Sequence, residues 1–153
     1  MPRILNWKWM IPQGQSALTI PMFNTIFLDK SLEGEYRKAL LVHEYTHTLQ
    51  AKRDGQFMFM VKYLLSRKHR YLYEIEGYQN QIRAILAMDN RKIAEQFVMQ
   101  FAKHLTTSYY LGKKFTYEQA VNDIMLGLVE QPLMDDTVVA YFDSDQVNDI
   151  RYA

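Results

Sequence analysis

"LLVHEYTHTLQ", residues 40–50, sets two histidines four positions apart, with a glutamate directly after the first. It lies within "LEGEYRKALLVHEYTHTLQAKRD" (32–54), which keeps a helical period with Tyr36, Leu40, His43, His47 and Gln50 along one face. Ser31 is a suitable N-cap. Glu33 and Glu35 fall in the first turn, where the helix dipole favours acids, and Lys52 and Arg53 fall in the last. Gly55 stands where a terminating glycine belongs. One long helix with both histidines on its packing face is expected.

Upstream, "SALTI" (16–20) and "NTIFLD" (24–29) read as short strands between turns, so a small N-terminal sheet or hairpin is expected. Downstream, "QFMFMVKYLLSRKHR" (56–70) has no clear period and reads as an apolar loop with a short helix, ending in a basic run. "YLYEIEGYQNQIRAILAM" (71–88) is a second long helix, Asp89 and Asn90 break it, and "RKIAEQFVMQFAKHL" (91–105) is a third. "SYYLGKKF" (108–115) is a connector. Thr116 with Gln119 forms a capping box for a fourth helix, "YEQAVNDIMLGLVE" (117–130), which Pro132 stops. The tail from Leu133 is acidic around a strand-like "TVVAYF". The fold class is thus α+β: one domain over 1–153, with a core of about 3–130 and a tail over 131–153 that suits a docking arm for a protein partner.

Eighteen basic residues balance 17 acidic ones, so no global field would recruit nucleic acid, and the "RKHR" cluster (67–70) is too short to do so. The absence of cysteine excludes disulfides and thiolate metal sites. No apolar run is long enough for a leader or a membrane span, which predicts a soluble chain, cytoplasmic or virion-associated.

Helix positions four apart share a face, with Cβ atoms roughly 5–6 Å apart, so two imidazoles so placed can reach one metal ion at about 2.0–2.1 Å. Glu44 is turned about 100° from His43. It lies outside that ligand pair but close enough to take a proton from a water on the metal and return it to a leaving amine. His43-Glu44-x-x-His47 therefore puts two Zn²⁺ ligands and one base on a single rigid element.

The chain resembles the zinc metallopeptidases that carry HExxH on an active-site helix. Over about residues 36–85, "HEYTHTLQ" and "RYLYEIEGYQNQ" are similar to the gluzincin branch, closest to small bacterial and phage domains. The metzincin form would need Gly at 50 and His at 53, where this chain has Gln50 and Arg53. The resemblance implies a compact zincin-like domain whose second helix supplies a glutamate as third ligand. Gly77 and Tyr78 depart from the family pattern, which often has Ala and Asp there.

Glu74 shares its face with Gly77, Tyr78, Ile82 and Ile85, whereas Glu76 shares its face with Gln79, Asn80 and Arg83, which reads as solvent. Glu74 is the expected ligand and Glu76 the alternative, with Gly77 permitting close helix approach. Tyr71, Tyr73 and Tyr78 are candidate oxyanion donors, and Arg70 a candidate partner of Glu74. His69 reads as part of a solvated turn, His104 as a packed histidine, and "FMFMVKYLL" as core. The expected function is Zn²⁺-dependent hydrolysis of a peptide or protein substrate, with Glu44 as base. The competing expectation is a structural or assembly-binding protein that keeps zinc as a staple.

Overall fold

The computed structural model describes residues 2–6, 16–20, 24–29, 31–107, 114–131 and 134–143. The architecture is α+β, as expected: a three-stranded sheet and six helices among the described residues. In the sheet, β3 (Thr25–Leu28) is central, with β1 (Arg3–Leu5) parallel to it and β2 (Ala17–Ile20) antiparallel. Thr19 lies opposite Ile26. All four β3 residues are buried, the pattern of a strand covered on both faces. Asn24, at φ 48°, leads into it in the left-handed conformation that asparagine tolerates.

The helix α1 (Gly34–Asp54) is the axis of the molecule. It packs on the sheet, on α3 (Arg67–Ala87) and on α6 (Asp136–Phe142). From Ala39 to Ala51 only Leu49 escapes full burial, so the helix is enclosed on every side. Its N-cap is Glu33; Ser31 sits in a turn, bonded to Asp29 Oδ1 by backbone and hydroxyl. Gly55, at φ 83°, ends α1 as expected and starts α2 (Gln56–Leu65) in the same step.

Residues 56–70 depart from their expectation. They form a complete ten-residue helix, α2, and the first turn of α3, which starts at Arg67 because Ser66 Oγ caps it by accepting from His69 N–H. A short run that is apolar almost throughout, broken only by Gln56 and Lys62, does not by its period tell a helix from an apolar loop. Phe59 and Tyr63 point inward, Phe57 and Leu65 point to solvent, and Leu64 stands exposed at the rim of the cavity that Phe59 and Tyr63 line.

Helices α4 (Arg91–Thr107) and α5 (Tyr117–Glu130) complete a bundle with α3. Thr116 caps α5 by accepting from Gln119 N–H. "TVVAYF" is a helix rather than a strand. Asp135 caps it through Thr137 N–H, and Val138 and Tyr141 are buried against the body, Tyr141 stacked on Tyr45 at 4.0 Å. Local capping and burial here outweigh the β preference of Thr-Val-Val. Residues 136–142 therefore pack against the core. Residues 108–113, Pro132 and 144–153, on which the expected connector, helix stop and rest of the tail fall, lie outside the described residues. No described helix is long and apolar enough to cross a membrane.

Candidate metal centre

α1 and α3 run antiparallel. Gln50 bonds to Tyr73 O and Glu76, and Thr46 to Asn80, which pins the two helices side by side. This register brings Glu74 onto His43 and His47. Glu74 Oε2 lies 3.4 Å from His43 Nε2, and Glu74 Oε1 lies 3.7 Å from His47 Nε2. One ligand atom from each of the three falls within 4.8 Å of the others, so the group can hold a metal ion. No further His, Asp or Glu joins it among the described residues.

The donor chemistry fits a cation. His47 Nδ1 lies 2.8 Å from Gln50 Oε1, and Gln50 Nε2 donates to Tyr73 O and Glu76 Oε2. With its NH₂ spent on those two acceptors, the Gln50 oxygen must accept from His47 Nδ1–H, which leaves the His47 Nε2 lone pair aimed at the site. Tyr63 donates its hydroxyl proton to Glu74 Oε1. Burial pushes the Glu74 carboxyl up, but the His43 contact, both imidazoles and Tyr63 together hold it down at about 2, so it is an anion. Burial, and after it the nearby Glu74 carboxylate, raise the Tyr63 hydroxyl well above its ordinary value, keeping it a donor.

Gly77 is the reason the two helices come this close. A methyl group there would meet His43 Cε1 at 2.9 Å and Nδ1 at 3.0 Å. The His43 ring also touches the ring of Tyr78, centroids 4.7 Å apart. His43 Nδ1 and both polar atoms of Gln81, one turn beyond Gly77, are buried without a partner. From His43 a run of touching rings leads away through Tyr78, Phe101 and Phe97 to Tyr36, with successive centroids 4.7, 4.1, 5.1 and 5.5 Å apart.

Glu44 is buried beside this group without belonging to it. Burial raises its pKa most strongly, with Glu74 adding to the rise, against His47 and the Thr19 hydroxyl, which donates to Oε2. Glu44, all three members of the group, Thr19, Tyr63 and Gln81 line one cavity of about 570 Å³.

Spacing had already joined His43, Glu44 and His47, and the company kept by Glu74 had placed it inward. The solvent reading of the Glu76 face does not hold. Asn80 and Arg83 are buried, because Arg83 binds Gly127 O and Gln131 O at the end of α5 and Asn80 Oδ1, while Asn80 reaches Thr46. Glu76 itself is half-buried, held by Gln50 and Arg53. Of the tyrosines named from the sequence, Tyr71 donates to Asp123 and Tyr73 to Asp54, and Tyr78 alone lines the cavity. Arg70 binds Tyr63 O and Leu64 O and lies over the Tyr63 ring, so it secures Tyr63. His69 is exposed, as expected, and His104 is exposed on the cavity wall instead of packed. Thr19, Gln50 and Tyr63 were missed as site residues. Only the position of Gln50, one turn after His47, hinted at its part.

Fold and site together define an α+β protein with a His-His-Glu group able to hold a metal ion. Compared with models of protein families, with curated proteins and with solved structures, the chain matches none.

Proposed function

We propose that the chain is a zinc-dependent peptidase, with His43, His47 and Glu74 holding the ion and Glu44 as general base. The observation that carries this reading is the position of Glu44, a buried carboxylate with a raised pKa on the cavity wall beside the ligand group but outside it. A purely structural metal site has no use for such a base and is usually closed by four protein ligands. Two imidazoles and a carboxylate suit Zn²⁺ and leave a coordination position for solvent.

When bound, the ion lowers the pKa of water and polarises a carbonyl. Glu44 takes the proton from the attacking water and delivers it to the amine that departs, and its raised pKa brings it nearer the value that both transfers need. The Thr19 hydroxyl fixes which Glu44 oxygen is engaged and leaves Oε1 for the proton. Tyr63 holds Glu74, and Gln50 holds His47, so neither ligand has to be ordered when the ion arrives.

Glu44→Gln tests the reading. The variant is expected to keep the parent's zinc content and melting temperature and to lose cleavage of a mixed peptide library by at least about a hundredfold, the scale of a lost acid–base group. Undiminished cleavage would remove Glu44 from the chemistry. Zinc lost in step with activity would make the carboxylate part of the metal site.

A further inference from the structure

α2 carries two apolar faces, and only one of them is used by the protein. Phe59 is buried, and Met60 and Tyr63 turn with it toward the metal cavity. On the side turned away from the cavity Phe57 is 73% exposed, Met58 48% and Leu65 82%, positions i, i+1 and i+8 of one helical face, while the exposed Leu64 sits at the cavity rim. Leu72, near the start of α3, is half exposed as well. Helices apolar all round are normally enclosed, and exposed apolar stripes of this kind mark interaction surfaces.

The charge around the stripe is one-sided. From Gly55 to Tyr73 the chain has no aspartate or glutamate, but it holds Lys62, Arg67, Lys68 and Arg70, although acids and bases balance over the whole sequence. Lys62 is matched by Asp54, whereas Arg67 and Lys68 are exposed at the end of α2 from which Leu65 projects. Apolar side chains flanked by cations fit an interface that is greasy beneath and anionic on top. A second copy of the chain fits poorly. A ten-residue helix is about 15 Å long and about 10–12 Å wide, so its outer face is far smaller than the roughly 800 Å² per partner of a stable dimer.

We propose that the outer face of α2 docks on a membrane surface containing acidic phospholipid, with Phe57 and Leu65 entering the acyl boundary and Arg67 and Lys68 among the headgroups. The inner face of the same helix lines the metal cavity, so docking brings that cavity up to the membrane surface.

Sedimentation of the full chain with vesicles tests this. Phosphatidylcholine vesicles are compared with an equimolar mixture of phosphatidylcholine and phosphatidylglycerol. The parent is expected to partition onto the anionic vesicles and to be released by raised ionic strength. Arg67→Gln with Lys68→Gln should lower the partition coefficient by roughly thirtyfold, at about tenfold or less for each charge. Phe57→Ser with Leu65→Ser should abolish partition with little change in melting temperature, because both side chains are already in solvent. Absence of the parent from anionic vesicles, or equal partition of parent and charge variant, overturns the proposal. So does a concentration-dependent dimer that the Phe57→Ser and Leu65→Ser changes dissolve, since that would make the stripe a contact between copies. None of these readouts depends on hydrolysis, so the peptidase reading stands or falls separately.

Discussion

Adding one methyl group at Gly77 should separate two properties that usually move together, helix stability and metal affinity. The new Cβ would stand 2.9, 3.0 and 3.1 Å from His43 Cε1, Nδ1 and Nε2. Comfortable carbon contacts begin at about 3.5 Å, so the ring must retreat by about half an ångström. The ring is almost fully buried and already in contact with Tyr78, so it has little room to move. Ligand distances in metal sites hold to about 0.2 Å, so a shift of that size mispositions Nε2. The expected result for Gly77→Ala is a metal affinity lower by about 10–100-fold, the range for disturbing a ligand's support. In the metal-free protein, overpacking costs about 1–3 kcal/mol. The mid-helix gain of Ala over Gly returns about 1 kcal/mol of that. The metal-free melting temperature should therefore fall only modestly. Competition with a chromophoric chelator gives the affinity, and calorimetry in the presence of a strong chelator gives the metal-free stability. An unchanged affinity would refute the close-approach role of Gly77. A large loss of metal-free stability with affinity intact would show that the helices, and not the ring, absorb the methyl group.

Glu74→Ala should come out metal-free, whereas Glu76→Ala should retain metal with an affinity about tenfold lower, since Glu76 reaches the group only through Gln50; metal analysis decides, and a metal-free Glu76→Ala protein would reverse the two roles. Asp54, bonded by Lys62 and by Tyr73, has its carboxyl held at about 2 against an ordinary 3.8. A depressed carboxyl stabilises the fold fully above its unfolded pKa, so this contribution, of order 1 kcal/mol after screening, should fade as pH falls from about 4 to 2. Urea titrations of the parent and Asp54→Asn should converge across that window, and a gap that stays constant would show that the carboxylate charge is not what matters.

Where a signal was local, the sequence carried it. The His43–His47 spacing, the Gly55 terminator, the Thr116 cap and the apolar neighbours of Glu74 each depend on residues within two or three turns. What was hidden depended on partners distant in the chain. Arg83 and Asn80 look like solvent residues until the carbonyls of Gly127 and Gln131 and the hydroxyl of Thr46 arrive from other helices. Thr19 reaches Glu44 across 25 residues, a contact that no periodicity encodes. The 137–142 segment misled because β-branched residues were read without weighing Asp135 as a helix cap. Residues 56–65 misled because a short, almost wholly apolar run is ambiguous between a helix and an apolar loop.

The run of rings from Tyr36 to His43 also bears on how the site comes into being. It crosses from α1 to α4 and on to α3 before returning to α1, so each ring is seated only when its neighbour on another helix is. A collapsed state with its helices formed but its side chains still exchanging rotamers would lack a seated His43. Tight metal uptake should then begin only when the last helix locks in, in parallel with the near-ultraviolet dichroism of the tyrosines and after the far-ultraviolet helix signal. An ion held by this group would then report completed side-chain order, arriving late in folding rather than nucleating it.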